Sequence, residues 1–197
     1  MNTPSSVLPI ILASTSPFRR ELLGRLNLPF ETATPDVDES RRENETAEAL
    51  VRRLSESKAR AIGASHPGLI IGSDQVASVD GEILGKPGTH QQAMEQLHRL
   101  SGRSVVFLTG LCLLNSVTDE LQLDVIPFRV QFRELQDAQI ERYLQHDQPY
   151  NCAGSFKSEG LGITLFERME GDDPTALIGL PLIRLTAMLA RAGVTLP

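Results

Sequence analysis

The stretch VLPIILASTSPFRRELL, residues 7–23, decides how this chain is read. Val7 to Ala13 is almost wholly apolar, the pattern of a strand buried on both faces. Ser16 suits a helix N-cap, and Pro17 fits the first helical position, where its missing N–H costs nothing. Leu22, Leu23 and Leu26 then make one apolar face, and Asn27 to Pro29 ends the helix. Strand, small-residue turn and helix form the opening unit of an α/β fold. Arg19 and Arg20 fall in the first helical turn, where backbone N–H groups lack partners and the helix dipole favours anions. They are either a solvated first turn or an anion site.

Outward from that unit, Phe30 to Thr34 reads as a second short strand. A loop with Asp36, Asp38 and Glu39 follows, then a helix over Thr46 to Ser65. The helical repeat puts Lys58 four residues after Leu54, on the apolar stripe, where a lysine must snorkel or find a partner. Leu69 to Ile71 reads as a buried strand leading into Gly72-Ser73-Asp74-Gln75, so Asp74 is expected just past a strand end. Asp80-Gly81 signals a type I′ hairpin between Val76–Val79 and Glu82–Leu84. Thr89 and Gln92 make a capping box for a helix ending at Leu100. Val105 to Leu114 and Leu121 to Phe132 are two long strands, and Pro127 requires an edge or a bulge in the second. Gln136 to Gln145 is a short helix, Tyr150 to Gly162 a Gly- and Ser-rich loop, and Ile163 to Glu167 a strand. Pro174 to Gly193 is mostly helix, restarted by Pro181 after Gly179. The expected architecture is one α/β domain over residues 1–197 with a partly antiparallel sheet.

The 197 residues are 41% hydrophobic and 22% charged, ordinary globular composition. A net charge of −6 argues against a nucleic-acid polymer as partner. Cys112 and Cys152 form no CxxC pair and read as reduced thiols. His66, His90, His98 and His146 lack metal-ligand spacing. The first 14 residues have no basic segment and too short an apolar run for a span, so no membrane association and a cytoplasmic location are expected. There is no P-loop: Gly81 to Lys86 is one residue short and is followed by Pro. No GxGxxG or GxSxG occurs either.

A set of charged residues in unusual places remains: Arg19 and Arg20, Lys58, Asp74, Lys86 between Gly and Pro, and Glu159 in the Gly-rich loop. Each alone reads as surface charge, a snorkelling lysine or a turn cap. Together, several cations and a few acids at element ends suit a polyphosphate and a divalent metal. Cations and metal neutralise phosphate oxygens, while an acid binds metal or activates water.

At this point the chain resembles a known family. "LASTSPFRRELL", "VDES", "SESKA", "IIGSDQV", "GEILGKP", "AGSFKSEGLG" and "LIGLPL" occur in that order between Leu12 and Leu182, the pattern of the Maf family of nucleoside triphosphate pyrophosphatases. The resemblance implies a single Maf/ITPase-like α/β domain, with a long, mixed, bent sheet flanked by helices and a nucleotide cleft. It implies metal-dependent cleavage between the α- and β-phosphates, with Mg²⁺ or Mn²⁺ as cofactor, and a homodimer. Carried over by motif, Asp74 matches the catalytic acid that activates water and helps hold the metal. Ser14 and Arg20 match the phosphate-binding turn, Glu39 an acid near the metal, and Lys58 and Lys86 the basic residues of the cleft. The family usually has Glu before the "SESKA" lysine; this chain has Ser57.

Branches of the family differ at three places. The dTTP/UTP type typically has Arg, Thr and Gln where this chain has Phe18, Gln75 and Glu159. The combination here resembles the branch acting on 7-methyl-GTP. N7-methylation makes guanine cationic, so Phe18 can stack on it and Glu159 can pair with its N1–H and amine. A pyrimidine triphosphate of the same family chemistry, or a regulatory nucleotide-binding module with little turnover, is the alternative.

Overall fold

The computed structural model describes residues 8–196. Val7, where the first strand was expected to begin, lies outside them, as does most of the N-terminal segment expected to carry no leader. The chain runs β1 (Ile10–Ala13), α1 (Pro17–Gly24), β2 (Phe30–Ala33), α2 (Ala47–Gly63), β3 (Leu69–Val79), β4 (Glu82–Leu84), α3 (His90–Leu100), β5 (Ser104–Asn115), β6 (Glu120–Phe132), α4 (Asp137–Asp147), β7 (Phe166–Glu170) and α5 (Leu182–Arg191). Seven strands form one sheet in the order β2-β1-β3-β5-β6-β7, with β4 paired to β3. β1 is parallel to β2 and to β3, and the other pairings are antiparallel. The sheet is therefore mixed, as expected.

Alternation along β1 sets the layers. Ile10 and Leu12 pack with Leu22 and Leu23 of α1 and Leu185 and Leu189 of α5. Ile11 and Ala13 belong to the other side, with Ala59 and Ile62 of α2. A strand covered on both faces must be apolar throughout, which is why its sequence shows no polar alternation. A third apolar cluster joins α3 and α4 to the far ends of β5 and β6, through Leu97, Leu100, Phe107, Phe132, Ile140 and Leu144.

Local signals produced the turns and caps as read. Ser16 accepts the Arg19 N–H at 3.4 Å and Pro17 opens α1. Asp80 and Gly81 have φ of 50° and 82°, the two positive values that a type I′ turn needs. Pro127 lies opposite Leu108 on β5, while β7 pairs only with Arg129 to Phe132. The other edge of β6 at Pro127 is unpaired by β7, so the proline lies on an edge, as expected.

Three expectations are corrected. β3 does not stop at Ile71. It continues through Gly72-Ser73-Asp74-Gln75 to Val79, with Asp74 opposite Gly110. Those residues look like a turn, but the glycine is there because α2 lies directly on the sheet. The final strand is Phe166–Glu170 rather than Ile163–Glu167, and Leu161–Leu165 is a 3₁₀ turn. Gly162 curls the loop back on itself: an added Cβ would stand 2.3 Å from the Lys157 carbonyl oxygen. The C-terminal helical segment is two pieces. A 3₁₀ turn over Pro174–Ile178 is closed by Gly179 at φ 117°, and α5 starts at Leu182. Among the described residues no helix is long and apolar enough to cross a membrane.

Candidate active site

Asp74 projects from the middle of β3 and is 9% exposed. Lys58 comes from the buried stripe of α2, and the question of its partner has a clear answer. Its Nζ donates to Asp74 Oδ1 at 2.6 Å and pairs with Glu39 Oε1 at 2.7 Å. One ammonium thus holds two carboxylates together at the wall of a cleft of about 790 Å³. Burial alone would raise the Glu39 carboxyl. The Lys58 hydrogen bond and the charges of Lys58, Lys86 and Arg19 outweigh that and hold it below the ordinary carboxylate range.

Glu39 lies on an exposed loop, so something must hold it. Arg53 of α2 does so, donating from Nη2 to the Ser40 carbonyl at 2.9 Å and from Nε to Glu45 Oε1 at 2.6 Å. Glu45 also accepts the Arg42 N–H at 3.0 Å. The Arg53 hydrogen bond is the main reason its carboxyl sits at about 2. A depressed folded-state value means that this clamp stabilises above the ordinary value of 4.5, and its contribution is lost as pH falls toward 2. Glu45→Gln should therefore melt below the wild type at pH 7, with the gap closing as pH falls from about 4.5 toward 2. Thermal melts across that range check it, and a gap independent of pH would remove the ion pair as its cause.

The two arginines of α1 divide. Arg19 turns into the cleft. Its Nε donates to the Gly179 carbonyl at 2.9 Å, and among the described residues its terminal nitrogens have no partner. Burial pushes its pKa down, against the raising effect of Asp74 and Glu39. A guanidinium nevertheless stays charged. Arg20 is exposed and lines a separate depression of about 200 Å³ with Ser14, Thr32 and Thr34. Of the two arginines Arg20 was the one expected in the phosphate turn; the depression it lines shares Ser14 to Pro17 with the main cleft, and it is Arg19 that stands in the cleft itself. The signal was available: Leu22 and Leu23 lie three and four residues after Arg19, so the buried face of α1 carries it. Ser14 is buried, lines the cleft and accepts the Ser16 N–H at 3.1 Å. Lys86, exposed and with no ion pair among the described residues, faces the same cleft from the β4–α3 loop.

A side pocket of about 140 Å³ adjoins this cleft and brings together Phe18, Gln75 and Glu159, with Phe107, Phe156 and Leu177 behind them. Phe18 is half-buried and Glu159 exposed. Gln75 is committed elsewhere. Its Nε2 donates to the carbonyls of Ala176 at 2.7 Å and Leu177 at 3.1 Å and to Thr109 Oγ1 at 3.0 Å. Its amide hydrogens brace the Pro174–Ile178 turn, so its part in the pocket is shape. Phe156 is locked edge-on to Phe107, Phe132 and Phe166. Sequence reasoning missed Asn151 and Cys152, which line both spaces, and Lys157 in the main one. Both cysteines are free, and burial pushes the Cys112 thiol up to about 12.

For a divalent metal, Asp74 and Glu39 are the carboxylates facing the cleft. Among the described residues no group of three or more His, Cys, Asp or Glu side chains forms a cation cage. Two carboxylates held together, with phosphates and water completing the shell, suit Mg²⁺, which is seldom caged by protein alone. The residues therefore fit such an ion.

Comparison with known proteins gives the family and the fold. Residues 9–192 match the family described as "Maf-like protein". A curated relative from Nitrosococcus oceani, named 7-methyl-GTP pyrophosphatase, is 57% identical over 98% of each chain. Another of the same name, from Pseudomonas savastanoi pv. phaseolicola, is 61% identical over 95% of this chain and 98% of its own. Among solved structures, the Staphylococcus aureus Ham1 protein superposes with a TM-score of 0.54 at 13% identity, covering 93% of this chain and 99% of its own. A HAM1 protein from Coxiella burnetii gives 0.53 at 15% identity, covering 94% and 100%. At such identities the likeness is one of fold.

Proposed function

This chain belongs to the Maf-like protein family, and we propose that it is a nucleoside triphosphate pyrophosphatase that hydrolyses 7-methyl-GTP to 7-methyl-GMP and pyrophosphate. The relatives at 57% and 61% identity carry that name. The observation that carries the reading here is the pairing of two adjoining spaces. The first alone holds Asp74, Glu39 and Lys58, the second alone holds Glu159, and Arg19, Lys86 and Phe18 stand where the two meet. A triphosphate needs the first and a cationic purine the second.

In this reading Asp74 takes the proton of a water molecule that attacks the α-phosphorus. The bond from the α-phosphorus to the αβ-bridging oxygen breaks, and pyrophosphate leaves. Arg19, Lys58 and Lys86 hold the charge on the phosphates, and Ser14 with the turn to Ser16 offers short polar groups at the head of α1. Glu39 and Asp74 would hold Mg²⁺ or Mn²⁺, whose charge neutralises phosphate oxygens. Lys58 keeps the two carboxylates in place before substrate arrives. The aromatic face of Phe18 would stack on the methylated base, and Glu159 would accept from its N1–H and amine. The whole chain is taken as one domain, cytoplasmic and homodimeric by its family, and light scattering would measure the last.

The test is a panel of 7-methyl-GTP, GTP, dTTP, UTP, CTP and ATP with Mg²⁺ or Mn²⁺, scoring pyrophosphate and orthophosphate separately. Pyrophosphate from 7-methyl-GTP, well ahead of GTP and dTTP, is expected. Phe18→Ala should cut the preference over GTP by about 3- to 30-fold, the worth of a cation–π contact. A win for dTTP or UTP would leave the chemistry standing and overturn the base pocket. No turnover of any nucleotide would favour a binding module.

A further inference from the structure

Two loops close the cleft on one side. The β4–α3 loop carries Lys86, and the Tyr150–Gly160 loop carries Glu159. They are far apart in sequence, and they meet on the side chain of Gln96 in α3. Its Nε2 donates to the Gly85 carbonyl at 3.0 Å, and its Oε1 accepts from Ser155 Oγ at 2.6 Å. Ser155 is fully buried, with φ of 60° beside Gly154 at 75°. Consecutive left-handed residues are a backbone shape that needs outside support. The same two loops are tied again nearby, where the Gly88 N–H donates to the Tyr150 carbonyl at 2.9 Å and the His90 ring meets the Tyr150 hydroxyl at 3.0 Å.

A primary amide donates to a carbonyl from its nitrogen and accepts from a hydroxyl at its oxygen, so one side chain can hold both loops at once. Seating α3 does not require it, because Ala93, Leu97 and Leu100 form the buried face of that helix. Gln96 touches neither the space assigned to phosphates nor the one assigned to the base. It touches Gly85, which lines the main cleft just before Lys86, and Ser155, at the root of the segment ending in Glu159.

We propose that Gln96 is a positioning residue that couples base recognition to the phosphate grip, resting on the 7-methyl-GTP reading above. With both ends of the carboxamide held, the Gly85–Lys86 segment and the Ser155–Glu159 segment move as one. Seating the methylated base on its loop sets Lys86 against the phosphates. A base that seats poorly leaves Lys86 misplaced, so discrimination is expressed in kcat as well as KM. The acid of Gln96→Glu keeps an acceptor for Ser155 but turns an oxygen toward the Gly85 carbonyl. Gln96→Met fills the space with neither group.

The experiment measures kcat and KM for 7-methyl-GTP and GTP in the wild type, Gln96→Glu, Gln96→Met, Ser155→Ala and the double variant Gln96→Met/Ser155→Ala, with melts alongside. The expected result is a fall of about tenfold in kcat for 7-methyl-GTP, the scale of one hydrogen bond lost in the transition state, and less than about threefold for GTP. The kcat ratio between the two nucleotides therefore contracts. Ser155→Ala should contract it likewise, and the double variant should be no worse than the poorer single one, as partners in one bridge are non-additive. If Gln96→Glu fails to fold, the other variants carry the test. An unchanged ratio, whether both rates fall together or neither falls, overturns the coupling while leaving the functional reading intact. A wild type that releases no pyrophosphate from 7-methyl-GTP overturns that reading first, and the coupling with it.

Discussion

Asp74→Asn is expected to lower kcat for pyrophosphate release from 7-methyl-GTP by about 10³, within the range that a positioned general base supplies. The substitution is nearly isosteric. Asparagine keeps an oxygen where Asp74 Oδ1 accepts from Lys58 at 2.6 Å, so β3 and α2 need not move. Nor is Lys58 stranded, because Glu39 still lies 2.7 Å from its Nζ. The stability lost should therefore stay below the roughly 3–5 kcal/mol of a buried ion pair with one partner removed. Nucleotide binding should survive, with KM unchanged or lower, since the amide oxygen can still ligate a metal ion beside Glu39 and one negative charge facing the phosphates is gone. The signature is dead chemistry on an intact binder. Single-turnover rates and equilibrium binding on the same preparation separate the two. A variant keeping more than about a tenth of the wild-type kcat would remove Asp74 from the role of base.

The contrast with Lys58 explains which parts of this site could be read without coordinates. Lys58 announced itself because a helix has a fixed repeat. Four residues after Leu54 on an apolar stripe is a statement about burial, and burial demanded the partner that the structure supplies in Asp74 and Glu39. The N-cap at Ser16, the type I′ turn at Asp80-Gly81 and the long β5–β6 pair were legible for the same reason: each depends on residues close in sequence. What failed depended on contacts across the chain. Gly72-Ser73-Asp74-Gln75 has turn-like composition. Its place within a strand is set by pairing with Leu111 to Cys112 and their neighbours on β5, and by a helix from elsewhere lying on it. That Arg19 turns into the cleft was not fully legible either, because it depends on which face of α1 meets the Gly179 carbonyl, a partner 160 residues away. Gln96 carries no sequence signal at all. It is one of several polar residues on a helix, and only the approach of Gly85 and Ser155 gives it a task. Short-range geometry was legible, and the assembly of the site from distant segments was not.

That assembly has its own weak point, and Gly72→Ala should expose it. A Cβ on Gly72 would stand 2.1 Å from the Ser55 carbonyl oxygen and 2.9 Å from the Ala59 amide nitrogen. A Cβ on the neighbouring Gly110 of β5 would stand 2.3 Å from the Val51 carbonyl oxygen. These obstacles are helix backbone, which cannot rotate aside as a side chain does. Ser55 is itself fully buried there, with its hydroxyl returned to the Val51 carbonyl at 2.6 Å. α2 must therefore lift away from the sheet to admit a single methyl group. Overpacking of a tight core costs typically about 1–3 kcal/mol, and a clash with two backbone atoms of one helix places this substitution at the upper end or beyond. The same shift carries Lys58 away from Asp74, because Ala59, one of the atoms in the way, is its immediate neighbour. Loss of stability and loss of activity should then travel together, unlike the Asp74→Asn case. Denaturant unfolding should show a stability lower by about 3 kcal/mol, and the folded fraction should turn over 7-methyl-GTP at least about tenfold more slowly, as displacement of a positioned group by an ångström predicts. A Gly72→Ala protein with wild-type melting and wild-type kcat would mean that α2 does not rest on the sheet at this glycine, and that the buried lysine is held to Asp74 by something other than the packing of that helix.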